Sequence, residues 1–352
     1  MLKQISLLIL CAAAIVWFAT PVQACTSAVV SGKVTPDGRP LLWKNRDTDF
    51  MQNHIDYVKG EKYNFIAVVN SANAYLKEAW MGTNSSGFAL MNTQSYNLVD
   101  VKGDEERGAA NGRVIYRALE VCATVEDFCH FLDTISKPSD IEANFGVIDA
   151  QGGAAMFEVD YHKYVMYDAN NPKDAPYGYI ARTNFSFAGK VNEGAGYVRY
   201  MEADQVLMKA SATGSITPQF IFNDLSRSFR NRMLDIDLRS GAYNRPQASG
   251  WFVDQDFIPR SSTSCSVVVQ GVKPGEKAEL TTMWTLLGYP PTGIAIPLWV
   301  KDAGKLLPGM VRFGKEHEAA PLSDWSLRLA DRVFSYKQGM GTCLLYTSPS
   351  PR

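Results

Sequence analysis

Histidine is scarce in this chain. Its four copies, His54, His130, His162 and His317, are scattered through 352 residues, with no HExxH spacing and no paired CxxC motifs. Protein metal sites draw on such clusters, so no metal is expected. Cysteine is sparse as well, six in all. Setting aside Cys11 near the start and Cys343 near the end, the remaining Cys25, Cys122, Cys129 and Cys265 are too few for a disulfide scaffold. Cys122, beside a helix start, and Cys129, inside that helix, read as two free thiols. An excess of one charge is also lacking: 35 basic residues face 36 acidic ones, and no basic cluster is interleaved with aromatics. That excludes the electrostatic footprint of a nucleic-acid partner. Past the first two dozen residues no apolar run reaches the ~18 needed to span a bilayer. What is present in quantity is core material: 46% hydrophobic and 11% aromatic residues, the composition of a folded body and not of a disordered chain.

The one long apolar run, residues 6–19, follows Lys3 and ends in Thr20-Pro-Val-Gln-Ala24. A basic start, a hydrophobic stretch and small residues at 22 and 24 read as a secretory signal over residues 1–24, which implies a secreted or periplasmic protein. Cutting after Ala24 leaves Cys25 as the first residue. A free thiol titrates near ~8.5 and an α-amine near ~7.7–8.0, so the amine can take the thiol's proton close to neutral pH. One residue is then nucleophile and general base together. The competing reading is a lipoprotein acceptor that uses Cys25 only for attachment, but Val22 and bulky Gln23 fit such a site poorly. At the other end, residues 343–352 read like the translation of a sequencing-library adapter. Residues 25–342 are therefore expected to be one domain, cut short at its C-terminus.

Along that domain, residues 27–31 and 41–43 flank a Pro36-Asp-Gly38 turn and read as a hairpin, so Cys25 opens a sheet. Further strands are expected at 63–69, 87–91, 144–149, 154–159, 264–269 and 280–286, with Gln151-Gly-Gly153 turning one hairpin. Helices are expected over 113–121, 124–132, 197–210 and 218–229, the second opened by a capping box at Thr124-Val-Glu-Asp127. Strands joined by hairpins, without βαβ crossovers, favour an α+β sandwich of antiparallel sheets over a doubly wound fold. The segments 53–62 and 239–258 read as loops that wall a pocket.

Asn45-Arg46-Asp47-Thr48-Asp49 ends the strand that runs back towards Cys25. An arginine there favours a thiolate, and a carboxylate holds the α-amine. From this point the sequence resembles the N-terminal-nucleophile (Ntn) hydrolases related to choloylglycine hydrolase and penicillin acyltransferase. Cys25-Thr-Ser, Arg46-x-x-Asp49, Gly82-Thr-Asn-Ser-Ser-Gly-Phe88, Thr124-Val-Glu-Asp127, Val147-Ile-Asp-Ala-Gln-Gly-Gly153 leading to Glu158, Thr183-Asn184, Arg199 and Thr263-Ser-Cys265 match that group's elements in order. The resemblance implies a four-layer αββα sandwich of two antiparallel sheets between helices. It also implies roles: Cys25 as nucleophile with its amine as base, Asp49 on the amine, Arg46 on the thiol, Asn184 as oxyanion donor and Arg199 in electrostatic support. The group places a polar residue ten positions after the Asn matched by Asn84. That makes Gln94, or Asn92 on the same strand face, a substrate-binding candidate.

The expected activity is a cysteine amidohydrolase or acyltransferase that opens a linear, non-peptide amide through a thioester. It needs no cofactor, its partner is a small-molecule amide, and its oligomeric state is open. An N-terminal-Cys dipeptidase is the alternative within the same chemistry, since Gly32-Lys33, Asp37-Gly38 and Arg46 with Asp49 also fit that opening. Asn84 and Asn184 each begin an N-x-Ser sequence, but structural or catalytic use is expected of both.

Overall fold

The computed structural model describes residues 24–100, 108–240, 251–254, 256–314, 319–336 and 341–344. The expected signal and most of the last ten residues lie outside them.

Two antiparallel sheets form the centre. Strands β1 (Cys25–Val30), β2 (Leu41–Asp47), β3 (Asn53–Val58), β4 (Phe65–Asn70), β5 (Met81–Asn84) and β6 (Ala89–Gln94) open the chain. Helices α1 (Asn111–Val121) and α2 (Val125–Thr134) follow, then β7 (Ala143–Ile148), β8 (Ala154–Val159), β9 (Tyr164–Asp168) and β10 (Tyr179–Arg182). After helix α3 (Tyr197–Ser211) come β11 (Thr263–Gln270), β12 (Thr282–Leu287), β13 (Ile296–Leu298) and helix α4 (Pro321–Val333). One sheet has six strands in the order β10-β1-β2-β11-β12-β13, and the other has seven in the order β3 to β9. The helix expected over 218–229 is a single α-turn, Pro218–Phe220, running into a π-turn over Ile221–Leu225.

Strand alternation sorts the side chains into three apolar layers. Val29, Leu42 and Val267 of the six-stranded sheet meet Ile66, Val68, Met91 and Met156 of the seven-stranded one. Behind the seven-stranded sheet, Leu90, Phe145 and Phe157 pack on Ile115, Leu119 and Phe128 of α1 and α2. Behind the six-stranded sheet, Ala28, Val30 and Trp43 pack on Ala203 and Leu207 of α3. The order helix, sheet, sheet, helix is the αββα sandwich expected from the sequence. Each large side chain buried in it contributes roughly 1.5–3 kcal/mol. The Thr124 hydroxyl accepts from the Asp127 N–H and the Asp127 carboxylate accepts from the Thr124 N–H, so the capping box that opens α2 is present.

Cys122 and Cys129 are free, the first buried and the second partly so, and burial pushes the Cys122 thiol up to about 12. Residues 53–58 depart from expectation: instead of a pocket wall they form β3, the edge of the seven-stranded sheet. Of the 239–258 segment, 241–250 lie outside the described residues. Among the described residues, no helix is long and apolar enough to cross a membrane. Among them too, no group of three His, Cys, Asp or Glu side chains is placed to hold a metal.

Candidate active site

Cys25 begins β1 between two strands of the six-stranded sheet. It lies opposite Arg46 of β2, and Arg46 lies opposite Cys265 of β11 on its other side. Residues paired across antiparallel strands project to the same face. Cys25, Arg46 and Cys265 therefore form one row on the face turned towards the other sheet. Ser27, Lys44 and Val267 form the next row. Cys25 is 6% exposed and Ala24 only 1%.

The nitrogen of Cys25 is held from the side. It donates to Asn184 Oδ1 at 2.9 Å, and the same oxygen accepts from Arg199 Nη2 at 2.8 Å. Arg199 Nη1 donates to the Cys25 carbonyl at 2.6 Å and accompanies this with a bond to Thr26 Oγ1 at 2.9 Å. The amide NH2 of Asn184 donates to the Gln94 carbonyl at 2.8 Å. Two donors on one atom and an acceptor on the other fix which end of the amide is oxygen. Towards Cys25, Asn184 thus works as an acceptor, while one of the two N–H groups of its amide is engaged with the Gln94 carbonyl. Burial brings Arg199 down to about 10, which leaves it charged at neutral pH.

Arg46 is buried and faces Cys25, yet its guanidinium does not bond to the sulfur. Nη1 donates to Asn53 Oδ1 at 2.6 Å, Nη2 donates to Asn70 Oδ1 at 2.8 Å, and the group lies 4.6 Å from the centre of the Trp80 ring. Burial lowers it to about 10. Its field reaches the thiol, but its hydrogen bonds belong to β3 and β4.

Asp49 is exposed, two residues past the end of β2. Asp47 is buried, and its main-chain oxygen lies 4.0 Å from Cys25 Sγ. Asp47 Oδ1 accepts from Thr263 Oγ1 at 2.6 Å. Its Oδ2 lacks a hydrogen bond and lies 3.6 Å from Arg260 Nε. Burial raises the Asp47 carboxyl, opposed by Arg260 and Arg199. Asp47, and not Asp49, is the buried acid at this strand end, because the strand carries its polar residues inside the sheet as far as 47. The sequence held a clue. A cation-x-x-Asp spacing occurs twice here, at Arg46 with Asp49 and at Lys44 with Asp47, and burial separates the two.

Of the substrate-binding candidates, Asn92 is buried and its Oδ1 accepts from Lys44 Nζ at 2.9 Å. Gln94 turns its side chain away, accepting from Asn111 Nδ2 of α1 at 2.7 Å and donating to the Ser95 carbonyl. Only its backbone carbonyl reaches the site, through Asn184. Asn84 is structural: buried, it donates to the Leu119 and Cys122 carbonyls and so closes α1 onto β5.

Further groups lie around the site; Lys44, Tyr96 and Arg182 escaped the sequence reading, whereas Glu158 was among the matched residues. Lys44 is described below. Tyr96 lies close enough for the Cys25 sulfur to add to the burial that raises its phenol. The buried pair Arg182 and Glu158 is closed at 2.7 Å. Glu158 also accepts from the Phe187 and Ala188 N–H groups at 2.8 and 2.7 Å, bracing the loop that starts with Asn184.

Among solved structures, the chain is similar to a variant of conjugated bile acid hydrolase from Clostridium perfringens. The identity is 14%, with 78% of this chain and 92% of that one covered and a TM-score of 0.44. It is similar to penicillin V acylase from Agrobacterium tumefaciens at 16% identity, covering 78% and 86%, with a TM-score of 0.40. The N-acylethanolamine-hydrolyzing acid amidase ortholog of Caenorhabditis elegans is 15% identical over 57% of this chain and 89% of that one, at a TM-score of 0.39. No curated protein matches the sequence. The model of the acyl-coenzyme A:6-aminopenicillanic acid acyl-transferase family matches residues 34–211, half of the chain. The chain belongs to that family, and is an Ntn-type enzyme of amide hydrolysis or acyl transfer.

Proposed function

We propose that the protein is a secreted cysteine amidohydrolase or acyltransferase that opens a linear, non-peptide amide, with Cys25 as nucleophile once the chain is cut after Ala24. The observation that carries the reading is the bond from the Cys25 nitrogen to Asn184 Oδ1, itself held by Arg199. After the cut that nitrogen is a primary amine, fixed on the residue whose thiol it must deprotonate. Asp47, with an unbonded carboxylate oxygen in the same buried region, supports the α-ammonium in place of Asp49.

The amine takes the thiol proton and the sulfur attacks the amide carbon. The tetrahedral oxyanion forms in the field of the buried Arg46, and preorganised charge of this kind lowers acyl-transfer barriers by several kcal/mol. The α-ammonium then gives its proton to the departing nitrogen as the C–N bond breaks, leaving a thioester. Water, activated by the same amine, releases the acid; an acceptor amine gives transfer instead. The burial of Ala24 and Cys25 speaks against a lipid anchor, which needs this residue at the surface.

Intact mass of the secreted protein is expected to give a free N-terminal Cys25, and Cys25→Ala is expected to abolish turnover across a panel of acyl-amino acids, penicillins and dipeptides. Thermal melting should barely change, since the substitution removes one sulfur at a strand end. Retained turnover in the alanine variant would end the reading, as would a diacylglyceryl mass on Cys25. Preference for dipeptides within the panel would move the substrate class to peptides.

A further inference from the structure

Lys44 stands two residues before Arg46 on β2, on the face it shares with Cys25. With Cys25 opposite Arg46, Lys44 is its diagonal neighbour, at a Cβ spacing of roughly 7–8 Å that a long side chain bridges. The ammonium is buried, with the residue 2% exposed. It donates to Asn92 Oδ1 at 2.9 Å and to the Trp80 carbonyl at 3.1 Å, both neutral acceptors. Arg46 beside it ends on two asparagines and an indole. Two cations thus lie buried side by side, and among the described residues neither has a carboxylate in hydrogen-bond or ion-pair contact. Buried charges persist where an opposite charge meets them.

The groups around Lys44 leave few candidates for that charge. Ser27 faces it from β1, and Val267 and Cys265 from β11. Arg182 lies beyond Ser27 on β10, and Asn92 approaches from β6. Asp47, three residues along β2, falls on the opposite face by strand alternation and is engaged with Thr263 and Arg260. Glu78 acts weakly on Arg46 and is ion-paired to Arg113. Cys265 is held neutral, pushed up to about 11 by burial. It is also two strands from Cys25, about 9.6 Å at ordinary sheet spacing, beyond disulfide reach. The Cys25 sulfur remains, on the adjacent strand and on the face that Lys44 shares.

We propose that Lys44 is the counter-charge of the Cys25 sulfur anion, a positioning residue that holds the thiolate from the second row of the sheet while its remaining hydrogen bonds pin Asn92. The assignment rests on Cys25 as nucleophile. Arg46, directly opposite Cys25, adds a field of its own, but its hydrogen bonds are committed to β3 and β4. Arg199, on the Cys25 carbonyl, is common to every variant below.

The test is the pH dependence of Cys25 alkylation by iodoacetamide in mature protein, read on the Cys25 peptide by mass spectrometry. An opposite charge at this range moves a titration by about 1–3 pH units. Lys44→Gln, which keeps a donor for Asn92 but no charge, is expected to raise the alkylation midpoint by about one unit or more. Turnover near pH 7 should fall by about tenfold, with KM little changed, in proportion to the lost thiolate. Lys44→Met should do the same, and Lys44→Arg should bring the midpoint back towards wild type. If Lys44→Met does not fold, the glutamine variant decides. A midpoint in folded Lys44→Gln equal to wild type overturns the proposal. Failure of the underlying reading looks different: Cys25→Ala would then retain turnover whatever stands at 44.

Discussion

A single amide organises the region around the candidate nucleophile. Asn184 is fully buried, and three partners meet it: the Cys25 N–H, the Arg199 guanidinium and the Gln94 carbonyl. Leaving a buried donor or acceptor unpaired costs roughly 1–3 kcal/mol each. Asn184→Leu keeps the volume and strands all three partners, so it should destabilise the fold by about 3 kcal/mol or more and remove turnover. Asn184→Asp keeps the oxygen that faces Cys25 and Arg199 and loses only the bond to Gln94. It should therefore retain measurably more turnover and more stability than the leucine variant. Urea denaturation and turnover of the two mature proteins check this, and a leucine variant as stable and active as wild type would refute it. Much of this site was legible from ordered motifs: Cys25, Asn184 and Arg199 meet in space although separated widely in sequence. The direction of the Asn184 bonds was not, because spacing says which residues converge and not which atom of an amide faces which neighbour.

Elements place these residues, and here the reading from sequence went furthest astray in β2. Apolar alternation identified 41–43 and stopped there, since strand signals rest on apolar residues returning every second position. The strand continues through Lys44, Asn45, Arg46 and Asp47, every one of them buried. A strand that carries polar groups on both faces has no alternation to read, so its end was set by motif spacing, and Asp49 was chosen over Asp47. Edge strand β3 and strands β9 and β10 stayed hidden for a related reason, being short or only half buried at the rims. Helix α3 shows an element built around one side chain. Its N-cap, Gly196, has φ +85°, and a Cβ there would come within 2.4 Å of Arg199 Nη2 and 2.9 Å of Thr183 Oγ1. Arg199 cannot give way without releasing Cys25 and Asn184. Gly196→Ala should cost about 1–2 kcal/mol from the positive φ alone and should lower turnover further by displacing the guanidinium. Gly214, also at positive φ but with open space around it, serves as the control: Gly214→Ala should share the stability loss and leave turnover alone. Equal turnover in the two variants would show that Arg199 is not held by this cap.

At the scale of the whole molecule, the row that holds Cys25 and Arg46 depends on how closely two sheets approach. Packed sheets lie about 10 Å apart, and large residues on both inner faces would hold them there or farther. A close approach occurs at Gly146 in β7, facing the first two strands of the chain. A Cβ there would lie 2.3 Å from Met91 Cε, 2.8 Å from Leu42 Cδ1 and 2.9 Å from Val29 Cγ2. The methionine tip can swing aside, being the far end of a flexible side chain. Leu42 and Val29 cannot move far, because they are central residues of β2 and β1, packed on their own sheet and fully buried. Val29 lies four residues from Cys25 on β1, and Leu42 two residues from Lys44 on β2. Any outward shift of these strands is passed directly to Cys25 and to the cations beside it. Gly146→Ala should therefore cost about 1–3 kcal/mol through overpacking. It should also lose turnover at temperatures where circular dichroism shows the variant fully folded, because strand displacement rather than unfolding is then responsible. Converting Met91 to Ala in the same chain opens the space that the new methyl needs. If the double variant recovers turnover while the single one does not, the distance between the sheets sets the geometry of the row; if Gly146→Ala folds and works like wild type, the sheets have slack and the site does not depend on their approach.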